Sequence, residues 1–285
     1  LEGLGRGGGA GGVVQVFTPA QLGLQDLQVG GVSRGRRRVR VHRSGASLAF
    51  QAPQDQLYTA TEVNEWAWYD APGRIATVEA VDDTAGEPPP RQHAATWPRE
   101  QALQQLQALA ADEANPALSA LQWAADQHGV VLLADDDMVS LGMGVHSQAW
   151  PVDALPAVDE VPWSALRAIP TALVTGSNGK TTTVRLLAAM TRAQGWSTSH
   201  SCTDGVFFDG QALEAGDFSG PTGARTALRQ PLAEAAILET ARGGMLRRGL
   251  ALGRADAAVV TNISVDHFGE YGIHDLDDLA DVKLT

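Results

Sequence analysis

The sequence predicts an α/β fold for residues 166–285, a mostly parallel sheet flanked by helices, preceded by a smaller α+β domain over residues 1–165. Three observations predict it. After Pro170, short apolar and β-branched runs alternate with helical stretches, the pattern of parallel strands covered by helices on both faces. Between the first of those runs and the first helix stand Gly176 and Gly179, where a strand must turn abruptly into a helix. Ahead of Pro170 the pattern is different, with short strands, a pair of helices and a hairpin.

The elements follow in order. Residues 1–12 form a Gly-rich tail. In residues 34–43, Arg38, Arg40 and His42 alternate with Val39 and Val41, as in a strand with one solvated face. A basic arm for nucleic acid is the competing reading of that run. Residues 47–51 and 75–81 read as short strands, and 82–98, with Pro88, Pro89 and Pro90, as a loop. Across 99–128, Leu103, Leu106, Leu109, Leu118, Leu121 and Trp123 recur at helical intervals, and Asn115-Pro116 breaks the run into two helices. Residues 130–133 and 138–141 read as a hairpin around 134–137, whose acidic tip, Asp135 to Asp137, is a solvated turn more readily than a metal site. Beyond Pro170 the expected strands are 171–175, 198–203, 235–239 and 257–262, with helices over 182–192, around 223–229 and near 245–250.

Composition limits the function classes. A chain of 285 residues with 44% hydrophobic content holds about two domains with packed cores. No apolar run approaches the ~18 residues of a membrane span, and the N-terminus lacks a signal-peptide arrangement. The single cysteine, Cys202, excludes an internal disulfide and a Cys-based zinc site, which fits a reducing cytoplasm. Residues 1–45 carry a net charge of +5 and the rest −17, so the acidic body argues against nucleic acid as the main partner. A homo-oligomer is left open. Starting at Leu1 and stopping within a helical stretch at Thr285, the chain is expected to be a fragment.

The chemistry concentrates in residues 174–183, V-T-G-S-N-G-K-T-T-T. The general phosphate loop would place its first glycine at 174, where valine stands, so this is the short form G-x-x-G-K-T-T beginning at Gly176. Backbone N–H groups of Gly176, Ser177, Asn178 and Gly179 would converge on phosphates at the positive end of the following helix. Lys180 would reach the outer phosphates, the Thr181 hydroxyl would ligate Mg²⁺, and Thr182 continues the first turn. An ordinary Gly-rich turn with a chance lysine is the plainer alternative, and the flanking strand and helix weigh against it. Nineteen arginines stand against two lysines, Lys180 and Lys283, so lysine is kept where its compact ammonium or nucleophilic amine matters. Glu239 closes a strand before Ala241-Arg242-Gly243-Gly244, well placed for Mg²⁺; alone it would read as a capping or salt-bridged glutamate. Asp266-His267 follows the next strand and its Asn262 in the same way; a lone histidine would read as structural, but with Glu239 at a neighbouring strand end beside the loop it makes a coherent metal and phosphate site.

G-S-N-G-K-T-T-T, L-E-T-A-R-G-G-M-L-R-R-G-L and V-T-N-I-S-V-D-H-F-G-E-Y-G-I together resemble the central ATPase domain of the Mur ligase family. Thr203-Asp204-Gly205, the stretch Gly216-Asp217-Phe218-Ser219-Gly220-Pro221 and residues 224–228 before Pro231 resemble the Mur-like module of the cyanophycin synthetase branch. A fainter likeness at residues 58–62 and 139–144 is to the N-terminal domain of the same synthetases, without an intervening ATP-grasp module. The resemblance implies an ATP-dependent amide ligase that activates a small-molecule or peptide carboxylate as an acyl phosphate, passes it to an amine and releases ADP. Its catalytic set would be Lys180, Glu239, His267 and Lys283. ATP would be held by residues 176–182 and Asn262, one Mg²⁺ by Thr181 and Glu239, and a second Mg²⁺ by His267. Lys283 lies sixteen residues beyond His267, near a lysine that many Mur ligases carbamylate to support a metal. Arg242 and Arg247 are candidate anion contacts or surface ion-pair partners. Family members carry a C-terminal domain that closes over ATP, so this chain alone is expected to bind nucleotide and not to ligate at a useful rate. A small-molecule kinase and a noncatalytic nucleotide-binding scaffold are the alternatives.

Overall fold

The structure is a computed structural model that describes residues 37–42, 45–50, 52–70, 97–265, 268–269 and 273–284. It divides into two compact units, Leu1–Ser119 and Ala120–Thr285. The Gly-rich tail, the strand expected at 75–81 and residues 82–96 of the expected loop lie outside the described residues.

In the first unit, β1 (Arg37–His42) pairs antiparallel with β2 (Gly45–Phe50), so the arginine-valine alternation lies in a strand. Helix α1 (Leu57–Asp70) was not legible in the sequence; it packs on α2 (Arg99–Glu113) through Ala60, Val63 and Trp66 against Ala102, Leu106 and Ala110. Side-chain oxygens tie the helix ends. Glu113 accepts the Tyr58 and Thr59 N–H groups at 2.7 Å each, satisfying donors that the first turn of α1 leaves over. Asn115 Oδ1 accepts the Leu118 N–H at 3.1 Å and starts α3 (Pro116–His128) at the break that Pro116 imposes.

In the second unit, β3 (Leu132–Ala134), β4 (Met138–Leu141) and β5 (Gln148–Pro151) form a small antiparallel sheet. The expected hairpin is its first two strands. The Asp135 turn is a structural knot: Asp135 Oδ1 accepts the Met138 N–H at 3.0 Å, and Oδ2 holds the Arg229 guanidinium. Among the described residues no group of three acidic, histidine or cysteine side chains gathers for a metal, there or elsewhere.

The large sheet has six strands in the order β11, β6, β10, β7, β8, β9. Four are parallel: β6 (Thr171–Thr175), β7 (Thr198–Cys202), β10 (Ala235–Glu239) and β11 (Ala257–Val260). The sequence reading missed β8 (Gly205–Phe208) and β9 (Gln211–Ala215), which extend the sheet antiparallel from β7. β9 is exposed along its whole length, as an edge strand carrying little apolar pattern. By contrast β7 and β10 are buried throughout, because helices cover both faces. On one face α4 (Lys180–Ala193) sets Val184 and Ala188 against Val174, Cys202 and Ile237. On the other, α5 (Pro221–Leu228) sets Ala224, Ala227 and Leu228 against Val206, Ala236 and Leu238. The alternation of Ile237 with Ala236 and Leu238 is the period-two pattern of a strand sharing its side chains between two layers. Two short helices follow: α6 (Arg242–Arg248) after β10, and α7 (Leu276–Lys283). Here α7 packs Leu279 and Val282 with Ile273, Leu246, Ile263 and Phe268.

Candidate nucleotide site

β6 ends at Thr175 and α4 begins at Lys180, so four residues make the whole connection. Gly176 has φ +142°, and a Cβ there would fall 1.9 Å from Thr261 Oγ1. Gly179 has open space around it but φ +79°, so backbone conformation alone selects glycine. No side chain caps α4 at Gly179. Its first-turn N–H groups therefore suit an anion, reinforced by the helix dipole.

The loop is braced by the segment leaving β11. Although a strand was expected to 262, it ends at Val260, and the next residues turn to the loop. Ser177 N–H donates to Asn262 O at 2.9 Å, and Asn178 N–H donates to Asn262 Oδ1 at 3.2 Å. Thr261 Oγ1 and Asn262 Nδ2 donate to Asn178 O at 2.6 and 3.0 Å. Ser177 Oγ donates to Ser264 O and accepts the Ser264 N–H, both at 3.1 Å. Asn262, expected to contact nucleotide, bonds the loop through both ends of its side-chain amide. Thr261 and Ser264 were not singled out in the sequence, since small hydroxyl residues after a strand carry no distinctive spacing.

Lys180 folds back over the loop, its Nζ donating to Ser177 O at 3.3 Å. One turn of α4 also carries Thr181, half-buried, and Thr182, exposed. Thr181 Oγ1 donates to Glu239 Oε2 at 2.9 Å, joining the loop to the carboxyl end of β10. Thr203, just past β7, donates its hydroxyl to Glu239 Oε1 at 3.0 Å and its N–H to Oε2 at 3.3 Å. Its position at a strand end, like that of Glu239, was the available signal for Thr203.

These residues fit a magnesium ion. Glu239 is 1% exposed, its hydrogen-bond donors are neutral, and among the described residues it forms no ion pair. A buried carboxylate without a cationic partner is costly. Two adjacent oxygen ligands of octahedral Mg²⁺ stand roughly 2.9 Å apart, which the Thr181–Glu239 separation of 2.9 Å matches.

Lys283, the last residue of α7, is 6% exposed, and its Nζ donates to Gly176 O at 2.9 Å. His267 lies outside the described residues. Arg242 opens α6 and is half-buried; nothing is described of the Arg247 side chain. Burial pushes the Cys202 thiol upward, and Asp204 and Glu239 add to that, so it stays protonated and unsuited to nucleophilic work. A cavity of about 330 Å³ opens between residues 217–223 and Ala241, Gly243 and Gly244, shortly after Glu239 in the chain, with Arg248 in its wall.

Residues 174–285 match the Mur ligase middle domain. The cyanophycin synthetases of a Synechocystis species and of Geminocystis herdmanii are each 44% identical over 131 residues, covering 46% of this chain and 15% of theirs. The chain thus spans 15% of the length of these curated relatives. A solved UDP-N-acetylmuramoyl-L-alanyl-D-glutamate–2,6-diaminopimelate ligase aligns at 26% identity and a TM-score of 0.33, covering 40% of this chain and 23% of that one.

Proposed function

We propose, from the membership of residues 174–285 in the Mur ligase middle-domain family, that this chain supplies the ATP site of a carboxylate–amine ligase. The observation that carries the proposal is the meeting of Thr181, at the start of α4, with Glu239, at the end of β10, beside a glycine loop.

Transfer of a γ-phosphoryl group to a carboxylate brings two anions together, so the site must offset repulsion in a loose transition state. The N–H groups of residues 179–181 and the Lys180 ammonium would bind the phosphates. Thr181 and Glu239 would hold Mg²⁺, which when bound neutralises phosphate charge. Thr203 orients the Glu239 carboxylate through two donors. His267 belongs to the proposed metal set by its place in the motif. The cavity beside residues 217–223 would seat the small-molecule or peptide carboxylate, which forms an acyl phosphate; attack by an amine then releases phosphate and leaves an amide. The functional module is taken to begin near residue 166, although residues 120–165 share its compact unit, with Leu133 and Met143 packed in the core under α5. A cytoplasmic setting is supported by the lone buried cysteine, and no described helix is long and apolar enough to cross a membrane.

The test is ADP release by the full-length protein against a panel of amino acids and short peptides. Release should require a carboxylate and an amine together. Release with a hydroxyl acceptor alone would mark a kinase and contradict the ligase reading.

A further inference from the structure

The hydrogen bonds that Glu239 accepts divide unevenly between its two oxygens. Among the described residues, Oε1 takes the Thr203 hydroxyl at 3.0 Å, whereas Oε2 takes the Thr181 hydroxyl at 2.9 Å and the Thr203 N–H at 3.3 Å. From this we infer that Thr203 is a positioning residue that sets metal specificity. By holding Oε1 it leaves Glu239 a single oxygen for a divalent cation, and so favours magnesium over calcium. The inference rests on the nucleotide-site reading above.

Three observations carry it. The first is chemical. A cation shared by Thr181 and Glu239 replaces the hydrogen bond between them and leaves both Thr203 bonds in place. The Thr181 proton, turned away from Oε2, has the Thr203 hydroxyl oxygen 3.5 Å off as an acceptor. Magnesium needs one oxygen per carboxylate in a tight octahedron, while calcium takes more ligands and often both oxygens of one carboxylate. To supply both, Glu239 must give up the Thr203 hydroxyl, a bond to a charged acceptor. The second is burial: Glu239 is 1% exposed, so water cannot readily replace that bond. The third is conformational. Thr203 and Asp204 are the two-residue link between β7 and β8, whose ends pair Cys202 with Gly205. So short a hairpin connection leaves its backbone little freedom. Its flanks are anchored too, because Phe218 N–H donates to Cys202 O at 3.1 Å and Gly216 N–H to Asp204 O at 3.4 Å. The branched Cβ of Thr203 then restricts the hydroxyl to few rotamers.

Calorimetric titration of the protein with a nonhydrolysable ATP analogue, saturated with either Mg²⁺ or Ca²⁺, tests this without turnover. The unsubstituted protein should bind the magnesium complex more tightly; equal affinities, or a preference for calcium, would overturn the inference. That comparison needs no variant. Absence of binding with either ion would instead defeat the nucleotide-site reading, so the two failures are distinguishable. Thr203 is itself exposed, so its substitution leaves the core intact, and an unchanged ligand-free Tm checks this. Thr203→Val removes the hydroxyl and keeps the N–H and the branched shape. In that variant the ratio of magnesium to calcium affinity should fall about tenfold. Thr203→Ser, which restores the hydroxyl, should regain most of the ratio. A loss in Thr203→Val that is equal for both ions would show that the hydroxyl only satisfies a buried carboxylate, and would overturn the specificity role.

Discussion

Glu239 shows how a single residue acquires meaning from its surroundings. At the end of an apolar strand a glutamate is an ordinary cap, but here it is 1% exposed and receives three hydrogen bonds, from Thr181 and Thr203. His200 makes the opposite case, a histidine with a structural role. It is 5% exposed, stacks on Phe207 at 4.7 Å, and leaves Nδ1 without a partner. Burial, with Arg192 and Arg185 adding to it, lowers its pKa to about 4. The folded protein therefore holds His200 neutral while the unfolded chain takes up a proton below its ordinary value of 6.5. Stability is complete above that value and is lost as pH falls toward 4. Between pH 7.5 and 5 the loss from this group should be about 2 kcal/mol, read from urea midpoints. A His200→Leu variant should lack that part of the acid dependence; an unaltered acid limb would contradict the assignment.

At the scale of elements, the parallel strands and their helices were legible because period-two apolar runs, glycines and helical intervals all agreed. The loop between β6 and α4 was legible for the same reason. β8 and β9 were not, because β9 reads Gln211 to Ala215 on an exposed edge with no buried face to pattern it. Nor was the meaning of Asp135 to Asp137, since its partner is ninety-four residues away. Arg229 donates to Asp135, to Ser140 Oγ at 3.0 Å, and to the carbonyls of Leu133 and Met138 at 2.9 and 3.0 Å. Although burial raises it, the Asp135 carboxyl lies below its ordinary pKa because the hydrogen bond and charge of Arg229, with two backbone N–H groups, outweigh that cost. Truncation in Arg229→Ala strands four acceptors and should destabilise the second unit by ~3 kcal/mol in chemical denaturation. Arg229→Lys should recover little, since one ammonium cannot replace a planar fork. A loss under ~1 kcal/mol for the alanine variant would show the knot to be peripheral.

For the whole molecule, the site is assembled from strand ends scattered between residues 175 and 262, and the sequence alone named several of its members because they follow apolar runs. What escaped it were the braces, Thr203, Thr261 and Ser264, whose roles depend on which strands lie side by side. The order β11, β6, β10, β7 puts the ends carrying Asn262, Gly176, Glu239 and Thr203 in one row, as open parallel sheets do for bound ligands. The central claim is that this row is a magnesium–nucleotide site. Thermal unfolding of the 285-residue chain with ATP, with and without Mg²⁺, tests it most directly. At a ligand concentration of about 100 Kd, the account predicts a Tm rise of roughly 5–10 °C that requires both components. Lys180→Ala and Glu239→Gln should abolish the rise while leaving the ligand-free Tm within a few degrees. No rise in the unsubstituted chain, or an equal rise in both variants, would contradict it.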